Sequence, residues 1–320
     1  TGMSLFYNMF TITLMISAPI IIAALGGLFS ERSGVVNIAL DGIMLVGAFV
    51  TAAVVVVLDP TGANSKTAIL IGLIAGMAAG MVFSLLHAYA SIDLNADQTV
   101  SGTALNLLAA GITVYLCQIF FNQQRTPAFI RGITRIDVPV LKDIPVLGEM
   151  FFKQVHPTFY LTIILVFVTW YVVFKTPFGL RMRSCGEFPQ ASASMGINVR
   201  RMRYFGVLVS GALAGLAGGV MVLTQDVQFT VVTVHGFGFI AIAALIFGKW
   251  NPFGVLGAGM FFGFSQTLGF YAKDIPFLAT LPTEFFSMFP YVLTIIALVI
   301  FAGKSVGPKA AGEIYDTGKR

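Results

Sequence analysis

Long apolar runs, free or nearly free of charge, constrain this chain more than any other feature of its sequence. The first run, residues 5–29, contains no charged residue. At roughly 1.5 Å per residue, a helix of that length crosses a hydrocarbon core about 30 Å thick. Of the 320 residues, 57% are hydrophobic and only 10% are charged, whereas soluble domains carry about 25% charged residues. The sequence therefore predicts an all-α, polytopic transmembrane helical bundle.

Nine runs are candidate membrane segments. They are residues 5–29, 35–58, 67–90, 99–121, 158–174, 204–225, 236–248, 252–271 and 286–303. The run 236–248 is short, which favours a broken or re-entrant piece over a full crossing. We expect one membrane domain over residues 1–320, with about 8–10 membrane segments including such pieces.

The distribution of basic residues predicts the orientation. The loop 175–203 holds six Lys and Arg residues against one acidic residue, Glu187. Because cytoplasmic loops are enriched in Lys and Arg, we place this loop and the basic tail after Phe301 in the cytoplasm. The loop 122–157 is then extracellular, although it is also basic, and its prolines suggest an ordered extended excursion. Since the net charge of +5 lies beside membrane spans, it does not indicate nucleic-acid binding.

Two predicted spans carry glycines at every fourth position. The glycines are Gly72, Gly76 and Gly80 in one span and Gly211, Gly215 and Gly219 in another. Small residues at this spacing allow helix backbones to approach closely in lipid. Two interpretations remain open: packing within this chain, or a seam between two subunits.

Motifs for energy coupling and catalysis are missing from the sequence. Gly303-Lys304-Ser305 resembles the end of a phosphate-binding loop, but Leu298 occupies the position of the required earlier glycine. The three histidines are scattered and show no metal-ligand spacing. We therefore expect no catalytic residues, no metal and no cofactor in this chain.

A short helix is predicted inside the basic loop. Pro189 suits a first helical turn and Gly196 is placed to end the helix. Such a helix in a cytoplasmic loop could dock a partner protein, or it could lie on the membrane surface, held by its arginines.

The motif Gln190-Ala191-Ser192-x-x-x-Gly196 is similar to the E-A-A-x-x-x-G coupling motif of ABC importer permeases, with Gln and Ser replacing the first Glu and the third residue. Three further segments, at residues 26–42, 96–106 and 243–252, resemble signatures of bacterial nucleoside permeases. The resemblance is strongest to the smaller of the two permeases in guanosine-type importers. These proteins belong to the branched-chain amino acid and ribose permease superfamily.

This resemblance implies a multi-pass protein of the bacterial cytoplasmic membrane that forms a heterodimer with a second permease. It also implies a cytoplasmic ABC ATPase, which binds ATP and Mg, and an extracellular substrate-binding lipoprotein. The coupling residues would be Glu187, Gln190, Ala191, Ser192 and Gly196.

Polar residues inside the apolar segments are candidates for the substrate path, because polar groups at membrane depth usually face the bundle interior or a cavity. The candidates are Asn37, Asp41, Gln98, Ser101 and Asn106. Amide side chains can hydrogen-bond a base edge or a ribose hydroxyl. Helix-to-helix hydrogen bonds are the alternative for these residues, and Asp41 could instead pair with Arg32.

The leading functional hypothesis is a nucleoside permease of an ABC importer. A sugar, flavin or amino-acid permease of the same superfamily is the nearest alternative. An ATP-independent transporter or channel is disfavoured, because the predicted spans hold few ionisable residues that could couple to ions or protons.

Overall fold

The computed structural model describes residues 2–275, 280–301 and 307–316. The predicted phosphate-loop-like Gly303-Lys304-Ser305, the end of the predicted span 286–303 and the last basic residues of the tail lie outside the described residues. The described residues form twelve α-helices: α1 (Gly2–Ser33), α2 (Leu40–Leu58), α3 (Ser65–Ala88), α4 (Gln98–Phe121), α5 (Leu147–Phe151), α6 (Pro157–Lys175), α7 (Pro177–Glu187), α8 (Pro189–Ser194), α9 (Val199–Gln225), α10 (Phe237–Phe247), α11 (Pro252–Tyr271) and α12 (Thr283–Phe301).

Within the described residues, seven helices are long and apolar enough to cross a membrane: α1, α2, α3, α4, α6, α9 and α11. The 11-residue α10 is about 16 Å long, too short to cross a membrane alone. The prediction of an all-α, polytopic bundle with a broken piece near residues 236–248 is confirmed.

Three predicted boundaries were wrong by four residues or more: the end of α1, the start of α2 and the start of α9. Helix α9 begins at Val199 rather than at residue 204, because Asn198 Oδ1 caps it by accepting from Arg201 N–H. Helix α1 continues past residue 29 to Ser33 because the two charged side chains of its last turn are hydrogen-bonded: Trp250 Nε1 donates to Glu31 at 2.5 Å, and Arg32 donates to the Trp250 carbonyl at 3.0 Å. Helix α2 begins only at Leu40, because Gly34 has a φ of +102°, which turns the chain away from α1. Segment 34–39 is therefore non-helical, although most of its residues are apolar.

The core is built where α9 packs against α2 and α3. A methyl group at Gly215 would lie 2.3 Å from the Gly76 carbonyl oxygen, and one at Gly80 would lie 2.3 Å from the Gly211 carbonyl oxygen. The other two tandem glycines, Gly72 and Gly219, face Thr51 and Val55 of α2. Thus all six glycines make close contacts between helices of this one chain.

The loops 122–157 and 175–203 lie at opposite ends of α6. Loop 122–157 packs on the end of α9, where Ile133 N donates to the Leu223 carbonyl at 2.9 Å. It is less extended than expected, since it contains α5 and has only one isolated bridge, between Ile136 and Val155. At the other end, α8 occupies the position of the predicted short helix, and Gly196 follows it with a φ of +82°. Helix α7 was not predicted.

Candidate functional site

A cavity of about 1240 Å³ opens at the end of the bundle that carries loop 122–157. It is bounded by α1, α2, α4, the end of α9, the segment between α9 and α10, α11 and α12. We call it the central cavity. Its apolar lining comes from residues such as Ile12, Leu45 and Phe237, and its polar lining includes Asp41, Asn106, Arg135, His156, Thr224, Gln225, Asp226 and His235.

Part of the wall of the central cavity lies where two helices begin. Helix α2 begins after segment 34–39, and α10 begins after Gly236, which has a φ of +76°. Asp41, in the first turn of α2, accepts a hydrogen bond from the Gly238 N–H of α10 at 2.9 Å. Since helix N-termini carry unpaired N–H groups and a partial positive charge, a carboxylate stabilises this junction. Arg32 pairs instead with Glu187, at 3.9 Å, so the alternative partner considered for Asp41 was wrong.

Asn106 completes the same junction from α4. Its Oδ1 accepts from Gly42 N–H at 2.8 Å, and its Nδ2 donates to the Ile38 carbonyl at 3.0 Å. One side chain thus holds both the end of segment 34–39 and the first turn of α2. Asp41 and Asn106 are the two predicted path residues that line the central cavity.

The other three predicted path residues lie outside the lining of the central cavity. Asn37 is buried; its Nδ2 donates to Ser210 Oγ at 2.8 Å and its Oδ1 accepts from Ala39 N–H at 3.1 Å. Gln98 Oε1 accepts from Val36 N–H at 2.7 Å, while its Nε2 is buried without a partner. Ser101 lies 3.0 Å from His87 Nδ1. These side chains attach segment 34–39 and α4 to their neighbours.

His156 lies in the wall of the central cavity, near its opening, with one ring nitrogen unoccupied. Burial, reinforced by the nearby Arg135 charge, lowers the pKa of His156 to about 4, although its hydrogen bond to the Ile133 backbone acts in the opposite direction. The ring is therefore neutral near pH 7. Because the other nitrogen bonds to Ile133, Nδ1, which is buried without a partner, is left as an acceptor.

Gln225 and Asp226 add further polar groups to the same wall. Gln225 Nε2 is a buried donor without a partner. Burial raises the pKa of Asp226, while a hydrogen bond to Thr233 and the proximity of His235 lower it. The wall thus carries a neutral imidazole, an amide and a carboxyl group, polar groups of the kind that hydrogen-bond an uncharged polar molecule.

Sequence reasoning did not select these wall residues. His156 was judged only as a possible metal ligand, and within the described residues no cluster of three or more His, Cys, Asp or Glu side chains could hold a metal ion. One available signal was its position directly before Pro157, at the start of a span. Gln225 and Asp226 lie where a span meets its loop, a position common for polar residues.

At the opposite end, the predicted coupling residues surround a groove of about 490 Å³ between α7 and α8. Glu187, Ala191 and Ser192 line it, and Gln190 is exposed beside it. Ser192 is only 4% exposed and its hydroxyl donates to the Phe188 carbonyl at 3.0 Å, whereas Met195 is 83% exposed. The exposed surface therefore includes Gln190, Ala191 and Met195, together with Phe188, Ser194 and Gly196, while Ser192 holds the helix in place.

Comparisons with known proteins place this architecture in a family. The family model described as the permease component of the branched-chain amino acid transport system matches residues 9–298. The guanosine ABC transporter permease protein NupQ of Bacillus subtilis is 49% identical over 308 residues, 96% of each chain. The nucleoside ABC transporter permease protein NupC of Lactococcus lactis is 44% identical over 94% of each chain. The putative glucose ABC transporter permease protein TsgC13 of Haloferax volcanii is 30% identical over 92% of each chain. The chain therefore belongs to the family of branched-chain amino acid transport system permease components, and it is a multi-pass membrane protein.

Proposed function

We propose that this chain is the membrane-spanning permease subunit of an ATP-driven bacterial importer and that its central cavity is the path for nucleosides. The observation that carries the proposal is the pairing of apolar walls with polar side chains, among them His156 and Gln225, whose buried Nδ1 and Nε2 atoms have no partner in the protein. A nucleoside has the matching chemistry, with an apolar base face, polar base edges and ribose hydroxyls. The two most similar relatives described above carry guanosine and nucleoside in their names, which supports the same solute class.

The proposed orientation of the chain in the membrane rests on the basic residues of loop 175–203. With loop 175–203 in the cytoplasm, loop 122–157 and the opening of the central cavity are extracellular. We therefore propose an outward-facing arrangement of this chain in the bacterial cytoplasmic membrane. A soluble or lipid-anchored binding protein would deliver the nucleoside at this opening.

The remaining parts of the importer are expected as partners. A component of a transport system works with other components, and we propose a second, non-identical permease, a cytoplasmic ABC ATPase and an extracellular substrate-binding lipoprotein. ATP and Mg would bind to the ATPase. The groove between α7 and α8, with Gln190, Ala191 and Met195 at its surface, would dock that ATPase.

Uptake into vesicles tests this proposal. The permease, the second permease, the ATPase and the binding protein are reconstituted together, and labelled guanosine uptake is measured with ATP and with a non-hydrolysable ATP analogue. We expect uptake only with ATP, and inhibition by other nucleosides but not by glucose or leucine. Uptake without ATP would indicate a channel, and inhibition by glucose alone would indicate a sugar permease.

A further inference from the structure

We propose that a groove on the side of the bundle binds an anionic phospholipid. This side groove has a volume of about 600 Å³ and lies between the first turns of α3 and α6, with residues 131–136 beside them. It shares no lining residue with the central cavity. It is therefore a separate site, and the inference does not depend on which solute the permease carries.

The body of the side groove fits an acyl chain. Its lining is apolar along Ile69, Leu70, Leu73 and Leu161, and Leu70 is 59% exposed. Leu73 lies eight residues after Ser65, the first residue of α3, a distance of about 12 Å along the helix. One leaflet is half of a hydrocarbon core about 30 Å thick, so the apolar part of the groove has nearly the depth of one leaflet.

Two basic side chains stand at the rim of the side groove. Lys66 and Arg131 both line it and both are exposed. Among the described residues, neither forms a salt bridge with an acidic side chain. Basic residues at the membrane surface attract anionic headgroups, so this pair favours a lipid phosphate carrying a net negative charge over a zwitterionic headgroup.

A buried hydroxyl supplies an independent observation. Thr158 lines the side groove, is only 4% exposed, and its Oγ1 has no hydrogen-bond partner. One turn further, by contrast, Thr162 donates to the Thr158 carbonyl at 2.8 Å. A buried polar group without a partner is costly. A glycerol ester or phosphate oxygen in the groove would accept this hydrogen bond, which a bare hydrocarbon surface could not do.

Lipid retention tests the proposal on the full transporter complex. The complex is reconstituted in vesicles of equal phosphatidylglycerol and phosphatidylcholine, extracted, washed with detergent, and its retained lipid is counted by mass spectrometry. The wild-type complex should retain phosphatidylglycerol in preference to phosphatidylcholine. The double variant Lys66→Glu, Arg131→Glu should lose that preference by roughly tenfold, because both headgroup attractions become repulsions.

Two further variants separate headgroup charge from site occupancy. Arg125→Glu, Lys142→Glu is the matched control. It makes the same change of charge at two exposed residues of loop 122–157, the loop of Arg131, outside the side groove, and it should retain phosphatidylglycerol like the wild type. Thr158→Val keeps the side-chain shape and should reduce retention by roughly twofold to tenfold, the effect of one hydrogen bond.

Three results would overturn the proposal. They are equal retention of the two lipids by the wild type, equal loss in the Lys66/Arg131 variant and the control pair, and crosslinking of Leu70→Cys to the second permease. The last result would show that a protein, rather than a lipid, covers the side groove.

Discussion

Two asparagines and two histidines of this chain have different structural settings. Asn37 and His87 use both of their polar atoms on neighbours and are buried, with His87 bonded to Ser101 and to the Val36 carbonyl. Asn106 and His156 line the central cavity, and His156 Nδ1 has no partner. Asn37 and His87 thus fix segment 34–39. Asn106 lines the cavity but also uses its Oδ1 and Nδ2 to hold the junction of segment 34–39 with α2, so that of these four side chains it is His156 that has an unoccupied polar atom.

This contrast teaches that polarity at membrane depth has two separate uses. A side chain whose hydrogen bonds all end on the protein stabilises an irregular backbone segment, which lipid would not tolerate. A side chain with an unoccupied atom on a cavity wall is available to a ligand. The account therefore predicts loss of assembly when the first kind is removed and loss of transport when the second kind is removed.

The largest effect of a substitution is expected where α3, α9 and α2 meet. This contact supports both segment 34–39 and the wall of the central cavity. A side chain at Gly215 would overlap the backbone of Gly76 and Gly80, and overpacking costs about 1–3 kcal/mol or more. Gly215→Leu should abolish the assembled complex, as measured by size-exclusion chromatography. Gly111→Leu is the control, because nothing lies within 4 Å of a methyl group there. A normal yield of Gly215→Leu would disprove the packing.

The next effect directly tests the two asparagines. Asn37→Ala leaves Ser210 and Ala39 N–H without partners in a buried site, at a cost of about 1–3 kcal/mol. We expect less complex but normal uptake per complex. Asn106→Ala leaves Gly42 N–H and the Ile38 carbonyl without these partners at the wall of the central cavity. It should therefore lower the yield and also lower uptake per complex, the latter by roughly threefold to tenfold, the scale of one hydrogen bond. Reduced turnover in Asn37→Ala with full yield would instead favour the sequence-based prediction that Asn37 lines the path.

The two histidines test the same distinction, because His156 lies in the wall of the central cavity and His87 does not. His156→Ala removes the unoccupied acceptor and should reduce nucleoside uptake per complex by roughly threefold, while His156→Asn, which can replace an acceptor, should partly restore it. His87→Ala should lower the yield without changing uptake per complex. Initial uptake rates normalised to complex, with ATPase activity in parallel, distinguish these outcomes. Equal uptake in wild type and His156→Ala would remove His156 from the binding wall.

The smallest effect concerns pH. Since the pKa of His156 is lowered to about 4 from an ordinary value near 6.5, the unfolded chain binds more protons between these values. The stability contributed by the neutral ring is fully present above about pH 6.5 and is lost as pH falls toward 4. Asp226, whose pKa is raised, acts in the opposite direction and is unchanged in the variant.

Thermal unfolding of wild type and His156→Gln measures this contribution. Between about pH 7.5 and 5, the melting temperature of the wild type should fall by roughly 2 °C more than that of His156→Gln, a scale typical of a protein of this size. If the melting temperatures of the two proteins changed equally with pH, His156 would be accessible to protons in the folded state.

The apolar runs were sufficient to predict the helical bundle, because a helix that is apolar on all sides has few alternatives to a membrane. Sequence alone could not separate Asn106 from Gln98 and Ser101, which lie on the same helix, because the face that meets a cavity depends on the packing of other helices. The late start of α2 was missed because segment 34–39 is apolar, and its backbone bonds come from distant residues such as Gln98 and Asn106. His156 was missed because its significance depends on Ile133 and Arg135, which only the fold brings beside it.

Thiol labelling at two adjacent alanines tests most directly whether the central cavity opens to the outside. Ala110 lines the central cavity, whereas Ala109 is fully buried against Gly42. The two native cysteines, Cys117 and Cys185, are both buried and are replaced by Ser before each alanine is changed to Cys. A membrane-impermeant reagent is then applied from outside intact cells, with and without the ATPase trapped after hydrolysis.

The account predicts labelling of Ala110→Cys from outside in the resting complex, loss of that labelling in the trapped state, and no labelling of Ala109→Cys in either. Labelling of Ala110→Cys only from the cytoplasmic side, or equally in both states, would contradict an outward-facing cavity that serves as the import path.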